Sequence, residues 1–191
     1  MIHIYRAVGK RVFDIGFSTA LLVTLAPLMI LISVLVVLED GFPVLFRQKR
    51  VGKSGDLFEM LKFRSMPVTA PNIESVAARA LKRTSIGRFI RRTSIDELPQ
   101  LFQILKGDMS VVGFRPPLPS QIVLVRLREK NGVLKLSPGL TGLAQIQAYD
   151  NIGEDEVVAL DIEYANSISF ANDIKIIIRT FYYLLKPPPI Y

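Results

Sequence analysis

Twenty-four consecutive residues without a charge, Ile15 to Leu38 (IGFSTALLVTLAPLMILISVLVVL), constrain this chain more than any other feature. A helix needs about 20 apolar residues to cross a bilayer. The run also explains a mean hydropathy of +0.34 in a chain of 191 residues with ordinary charge content. A cleaved signal peptide does not fit, because the run is too long, no small-residue cleavage pattern closes it and charged sequence follows at once. The competing reading is a long core helix.

Pro27 sits at the middle of the run, and proline kinks a helix by removing a donor and clashing one turn back. Both flanks are basic: Arg6, Lys10 and Arg11 before, Arg47, Lys49, Arg50 and Lys53 after. The positive-inside rule places each flank in the cytoplasm. A helix broken at Pro27 that dips in and returns satisfies both flanks. An ordinary kinked span satisfies one and tolerates charge outside. The residues alone leave both arrangements open.

The absence of cysteine excludes disulfides and thiolate zinc sites, and a single histidine, His3, nearly excludes His-based catalysis and His-rich metal sites. Catalysis here has to run on carboxylates, Lys, Arg, Tyr, Ser or a bound metal. Charge is uneven: residues 67–135 carry twelve Lys or Arg against five Asp or Glu, and residues 136–191 carry three against seven. A basic middle beside an apolar segment predicts an anionic partner: nucleic acid, lipid headgroups or a phosphorylated small molecule.

The remaining pattern predicts an α+β fold, mostly helical with a few short strands. Residues 43–51 and 56–65 read as strands around the turn 52–55. Helices are expected at 72–83, from Ser85 as a cap, from near Asp96 to Gly107, and over 120–131, 154–166 and 170–185. Residues 109–112 read as a short strand, Phe114 to Pro119 as neither helix nor central strand, and 137–147 as a loop with strand character. The last helix is apolar on most sides, which suits a core helix or one lying in a membrane interface. No linker separates a membrane segment, residues 1–40, from a continuous domain, residues 41–191.

Three sites carry candidate chemistry. Ser94-Ile95-Asp96-Glu97 fits a capping box, so Asp96 and Glu97 are either helix-start acids or reactive carboxylates. Arg88, Arg91 and Arg92 lie just upstream, and carboxylates among guanidinium groups can hold a divalent cation and a phosphate together. Arg115 sits in a proline-stiffened loop, Gly113-Phe114-Arg115-Pro116-Pro117. Lys62 and Arg64 alternate along a strand and would share a face open to an anion.

Taken together, several motifs resemble one family over nearly the whole chain. They are Lys10-Arg11-Val12-Phe13-Asp14, Phe46-Arg47-Gln48-Lys49-Arg50-Val51-Gly52, Lys62-Phe63-Arg64-Ser65-Met66, Arg91 through Leu101 (RRTSIDELPQL), Lys106-Gly107-Asp108-Met109-Ser110, Gly113-Phe114-Arg115-Pro116 and Pro138-Gly139-Leu140-Thr141-Gly142. Their order and spacing resemble those of the monotopic phosphoglycosyl transferases, the bacterial sugar transferases. The resemblance implies transfer of a phosphosugar from a UDP-sugar to a polyprenol (undecaprenyl) phosphate at the cytoplasmic face of the bacterial inner membrane, starting glycoconjugate assembly. It implies a re-entrant membrane hairpin with both ends cytoplasmic, amphipathic interface helices, an Asp96 nucleophile forming a covalent phosphosugar intermediate with release of UMP, Glu97 as its partner, Mg²⁺ at the dyad, and Arg91 and Arg115 at the phosphates. Lys62 and Arg64 join these as phosphate-binding candidates. The resemblance also implies the phospholipid membrane as a partner and no nucleic acid.

Two departures stand out. Ala26 replaces the Ser common before the hairpin proline, which puts the hairpin's angle in doubt. Phe114 replaces the first proline of a Pro-Arg-Pro loop, which predicts a looser or altered pocket around Arg115. The resemblance does not name the sugar, although an insert around residues 67–83 suggests an N-acetylated amino sugar. The alternative function is a non-enzymatic, membrane-anchored basic module for nucleic acid or anionic lipid. That module would gain nothing from carboxylates inside its most basic stretch.

Overall fold

The structure is a computed structural model that describes residues 4–70, 83–147 and 153–185. The helix expected at 72–83 lies, but for Arg83, outside the described residues, as do the closing prolines 187–189. A π-helical turn, Tyr5–Gly9, leads directly into helix α1, Lys10–Asp40. The break expected at Pro27 is not there: α1 continues through it. One proline costs one donor and a local clash, and the helix accommodates both without ending. Thr24 and Ser33 donate their hydroxyls back to the carbonyls of Ala20 and Met29, at 2.8 and 2.7 Å, a habit that bends helices. Ala26 has no hydroxyl to offer.

The core-helix reading fails for α1. The most apolar 18-residue stretch of Tyr5–Asp40 is only 17 % buried, and Val23, Ile30 and Leu38 are open. One stripe of the helix does touch the rest of the chain: Asp14, Ser18, Ile32 and Val36 are buried. Its two halves seat on different parts of the core. Phe13, Phe17, Leu21 and Leu22 pack against a cluster built on Leu101, Ile104, Val111 and Val112. Leu28, Met29 and Leu35 pack with Ile32 and Val36 against Phe63 and Ile90.

The ends of α1 are tied down by polar groups. Lys10 Nζ and the Tyr5 hydroxyl donate to Asp173 Oδ2, at 2.8 and 2.7 Å. Arg11 donates to the carbonyls of Ile104 and Leu105, and Asp14 Oδ1 accepts the Val111 N–H at 3.0 Å. At the other end, Arg64 donates to the Asp40 and Gly41 carbonyls at 2.8 and 2.7 Å. Lys10 and Arg11, which read as basic flanks of the apolar run, are thus bound within the protein.

Strands β1, Leu45–Val51, and β2, Leu57–Phe63, form the expected antiparallel hairpin, with Leu45 opposite Phe63 and Val51 opposite Leu57. Helix α2, Ser85–Arg92, is capped by Thr84 rather than Ser85: its side chain accepts from Gly87 N–H at 2.9 Å. Glu39, near the end of α1, also accepts from the N–H groups of Ser85 and Ile86. Helix α3, Gln100–Lys106, ends at Gly107, whose φ of 104° admits glycine most easily. Strand β3, Ser110–Val112, pairs in parallel with β4, Gly139–Thr141.

Helix α4 covers Ile122–Lys130, a short α5 covers Leu143–Gln147, and α6 and α7 occupy Glu154–Asn166 and Phe170–Leu185. The architecture is α+β, mostly helical. Helix α7 is a core helix on one side only. Ile176 and Ile177 enter the core, while Phe170, Ile178, Phe181 and Tyr182 are at least half exposed.

Candidate active site

The Asp96-Glu97 pair stands on a tight turn rather than on a helix. Ser94 adopts a left-handed conformation, φ 55°, and turns the chain so that Ile95–Glu97 form one 3₁₀ turn before α3. The expected capping box does not form, because Ser94 makes no side-chain cap and the Glu97 carboxylate is engaged elsewhere. Ile95 and Leu98 anchor the turn in the core, which fixes the two carboxylates between them.

Lys62 reaches this turn from β2. Its Nζ lies 2.6 Å from Glu97 Oε1. The strand is held in place by Gln103 of α3, whose Oε1 accepts the Leu61 N–H at 2.9 Å and whose Nε2 donates to the Glu59 carbonyl. Arg115 reaches in from the loop 113–117, with Nη2 3.6 Å from the same Glu97 oxygen and its side chain about half exposed. Arg91, half-buried at the end of α2, feels the charges of both carboxylates.

The two acids are pushed apart. Asp96 is 4 % exposed. Burial raises its pKa and the neighbouring Glu97 charge adds to the rise, against the pull of Lys62, Arg91 and Arg115. Burial also works against the Glu97 carboxylate, but Lys62 and Arg115 outweigh it and hold the group well below the usual carboxylate range. Environments that separate two adjacent acids in this way mark a site with divided roles.

The structure thus brings Lys62, Arg91, Asp96, Glu97 and Arg115 together. It does not bring Arg64. Strand β2 stops at Phe63, and Arg64, 6 % exposed, turns to the C-terminal carbonyls of α1 and to Asp40 Oδ2 at 3.2 Å. Arg88 and Arg92 are exposed on α2.

The loop carrying Arg115 is pinned residue by residue. Gly113 N–H donates to Thr141 O, Gly139 N–H to Phe114 O and Val51 N–H to Pro117 O, at 2.8, 2.8 and 3.0 Å. Arg128 Nη1 donates to Arg115 O at 2.8 Å and Arg50 Nη1 to Pro116 O at 3.2 Å. Phe114, 1 % exposed, is buried with Val133 and Leu134, and the Arg128 guanidinium lies 4.9 Å from its ring centre. The loss of proline predicts a looser or altered pocket; the loop itself is anchored through a buried ring. Gly142 explains itself here, since a Cβ would fall 1.9 Å from the Gly113 carbonyl oxygen.

Sequence reasoning passed over Arg50, Gln100, Gln103 and the Arg128–Asp161 pair. Arg50 and Gln100 lie inside motifs already singled out. Arg128 and Asp161 are 33 residues apart and carry no local signal.

Among the described residues, no cluster of three or more His, Asp or Glu stands ready for a metal. The dyad offers two carboxylates among the cations Lys62, Arg91 and Arg115. That donor set fits Mg²⁺, which takes one or two carboxylates and completes its shell with water and substrate phosphate.

A carboxylate pair among three cations thus stands beside an apolar helix left largely uncovered. The model of the bacterial sugar transferase family matches residues 5–187. The chain belongs to that family. It is 41 % identical over 188 residues to a galactosyl transferase, CpsE, of Streptococcus agalactiae, covering 91 % of this chain and 41 % of the relative. It is 41 % identical over 186 residues to an undecaprenyl-phosphate glucose phosphotransferase of Komagataeibacter xylinus, covering 90 % and 35 %. A UDP-glucose:undecaprenyl-phosphate glucose-1-phosphate transferase of Caulobacter vibrioides is 37 % identical over 192 residues, covering 95 % and 72 %. The chain spans about two fifths of the length of the first two relatives.

Proposed function

We propose that this chain transfers a sugar phosphate from a UDP-sugar to undecaprenyl phosphate at the cytoplasmic face of a bacterial inner membrane. The observation that carries the reading is the buried Asp96 carboxylate held beside an ionised Glu97 within reach of Lys62, Arg91 and Arg115. A basic binding module has no use for that arrangement. The names of the relatives supply the donor and acceptor classes.

In the first displacement an Asp96 carboxylate oxygen attacks the phosphorus that bears the sugar. The P–O bond to the nucleotide phosphate breaks and UMP leaves with the electron pair. In the second, a phosphate oxygen of the prenyl acceptor attacks the same phosphorus and the Asp96 carboxylate is released. Splitting the transfer lets one confined site serve two bulky substrates in turn. Attack of an anion on a diphosphate is opposed by charge, and Arg91 and Arg115 are placed to neutralise the phosphoryl oxygens. Lys62 keeps Glu97 ionised. Asp96 and Glu97 would hold Mg²⁺, which supplies further neutralisation of the transferred phosphate when bound.

The way α1 is tied supports the membrane reading. Arg11 and Asp14 at one end and Asp40 at the other bind the same globular part of the chain. Ties from both ends to one globular part support an α1 that dips into the bilayer rather than crossing it, as a helix continuous through Pro27. The exposed apolar faces of α7 and of α4, where Ile122 and Val123 are open, lie at the interface. Residues 1–40 are the membrane part and residues 41–191 the catalytic part. The relatives are named for glucose and galactose, so the N-acetylated amino sugar gains no support from them. A UDP-hexose is the donor to test first.

The test is a mass measurement. Membrane-reconstituted protein is given each of a panel of UDP-sugars without acceptor. One donor should add the mass of one phosphosugar and release one UMP per chain. A panel that leaves the protein mass unchanged and releases no UMP rejects the reading.

A further inference from the structure

Two buried donors in the active-site cleft have no acceptor. Arg50, 6 % exposed, places Nη1 on the Pro116 carbonyl and Nη2 on Gln48 Oε1 at 2.6 Å. Both acceptors are neutral, and its Nε–H is buried without a partner. Among the described residues no carboxylate lies within ion-pair distance of it. Gln100, 2 % exposed, buries Nε2 in the same condition. The two come from different elements, β1 and the start of α3. They line one cleft together with Glu97, Arg115 and the chain at Gly139 and Leu140.

Native interiors leave few such groups unpaired, because each weakens the fold. Two in one cleft mark a position where the acceptor arrives with a ligand. Arg50 remains a cation at neutral pH: burial, and then the nearby Arg115, lower its pKa only to about 10. A water would satisfy the donors and bring no charge to a guanidinium that Glu97 compensates only from a distance. An oxyanion answers both needs.

We infer that Arg50 and Gln100 build a phosphate subsite beside the dyad, in which a phosphate-ester oxygen accepts from Arg50 Nε–H and Gln100 Nε2–H. The inference rests on the transfer reading only for which phosphate this is. The leaving nucleotide phosphate and the acceptor's prenyl phosphate present the same chemistry.

The experiment is calorimetric binding to the full chain in detergent micelles, with inorganic phosphate, UMP and a short-chain prenyl phosphate as separate probes. The variants are Arg50→Lys, which keeps the charge and loses the fork, and Gln100→Met, which keeps the volume and loses the donor. Ligand-free Gln100→Met should melt no lower than wild type, because it removes an unpaired group. Its affinity for inorganic phosphate should fall about tenfold, the scale of one hydrogen bond to a charged acceptor, and Arg50→Lys should lose as much or more. Losses confined to UMP among the two esters assign the subsite to the leaving phosphate. Losses confined to the prenyl phosphate assign it to the acceptor. Wild-type affinity for all three probes in both variants overturns the subsite, as does a wild-type chain that binds none of them. If wild type releases no UMP from any UDP-sugar, yet inorganic phosphate binding still depends on Arg50 and Gln100, the transfer reading fails and the subsite stands.

Discussion

The Lys62 ammonium lies 2.6 Å from Glu97 Oε1, with side chains 14 % and 21 % exposed. This pairing keeps the second carboxylate of the dyad ionised beside a first one whose burial resists ionisation. Lys62 lowers the pKa of both acids, so its removal must raise both.

Lys62→Met should therefore move the acid limb of the kcat/KM profile to higher pH by about 1 unit, with activity partly regained as pH rises. The pH–rate profile of the variant checks this. A limb that stays in place would show that Lys62 acts on the substrate alone.

Arg115 presents an exposed guanidinium from a fixed loop. Arg115→Lys keeps the charge but cannot reproduce two parallel N–H donors on a phosphate. The expected loss is about 1–3 kcal/mol of transition-state stabilisation, read from kcat/KM. Arg47→Lys, at an exposed pair with Glu59, should lose nothing measurable.

Arg128 and Asp161 are 1 % and 3 % exposed and joined at 2.8 Å, and Arg128 also holds the Arg115 carbonyl. Arg128→Met leaves Asp161 buried and unpaired, which should cost about 3–5 kcal/mol of stability in denaturant unfolding. Arg128→Met combined with Asp161→Leu should recover most of that stability. It should not recover kcat/KM, because the Arg115 loop still lacks its donor. Full recovery of both would make the pair structural only.

The parts of this molecule written in local pattern were readable from sequence. The β1–β2 hairpin announces itself through alternation around Gly52-Lys53-Ser54-Gly55, and α6 and α7 through their period and flanking breakers. What sequence hid was long-range. Lys10 and Arg11 read as a basic flank of the apolar run, yet their partners, Asp173 and the carbonyls of Ile104 and Leu105, lie 163 and about 93 residues away. Arg64 shared a face with Lys62 only while the strand was assumed to continue. The strand ends one residue earlier, and the orphan carbonyls at the end of α1 claim the guanidinium. Ser94 matched a capping box in composition, but its left-handed backbone aims the turn elsewhere.

Topology is open to a clean test, because the chain contains no cysteine of its own. Single cysteines at the exposed positions Arg6 and Lys53 flank α1. An impermeant thiol reagent should label both in inverted vesicles and neither in intact spheroplasts. Labelling of one from each side would establish a crossing helix and discard the dipping one.

Asp96, the proposed nucleophile, also carries an energetic cost, and one variant measures both. Its carboxyl is raised to about 6, above the roughly 3.9 of an unfolded chain. At pH above 6 the native state must carry a buried charge that the unfolded state solvates freely. The wild type is therefore destabilised there, and the penalty disappears as pH falls to about 4, where both states hold the proton. Asp96→Asn removes the charge and keeps the shape. At pH 7.5 with EDTA it should be more stable than wild type by about 1–3 kcal/mol, and the gap should close toward pH 4. The same variant should lose transfer activity by orders of magnitude and acquire no phosphosugar mass, because a neutral amide is a poor nucleophile. Lower stability at neutral pH with full activity would reduce Asp96 to a structural acid in a basic surface, and the transfer mechanism built on it would fall.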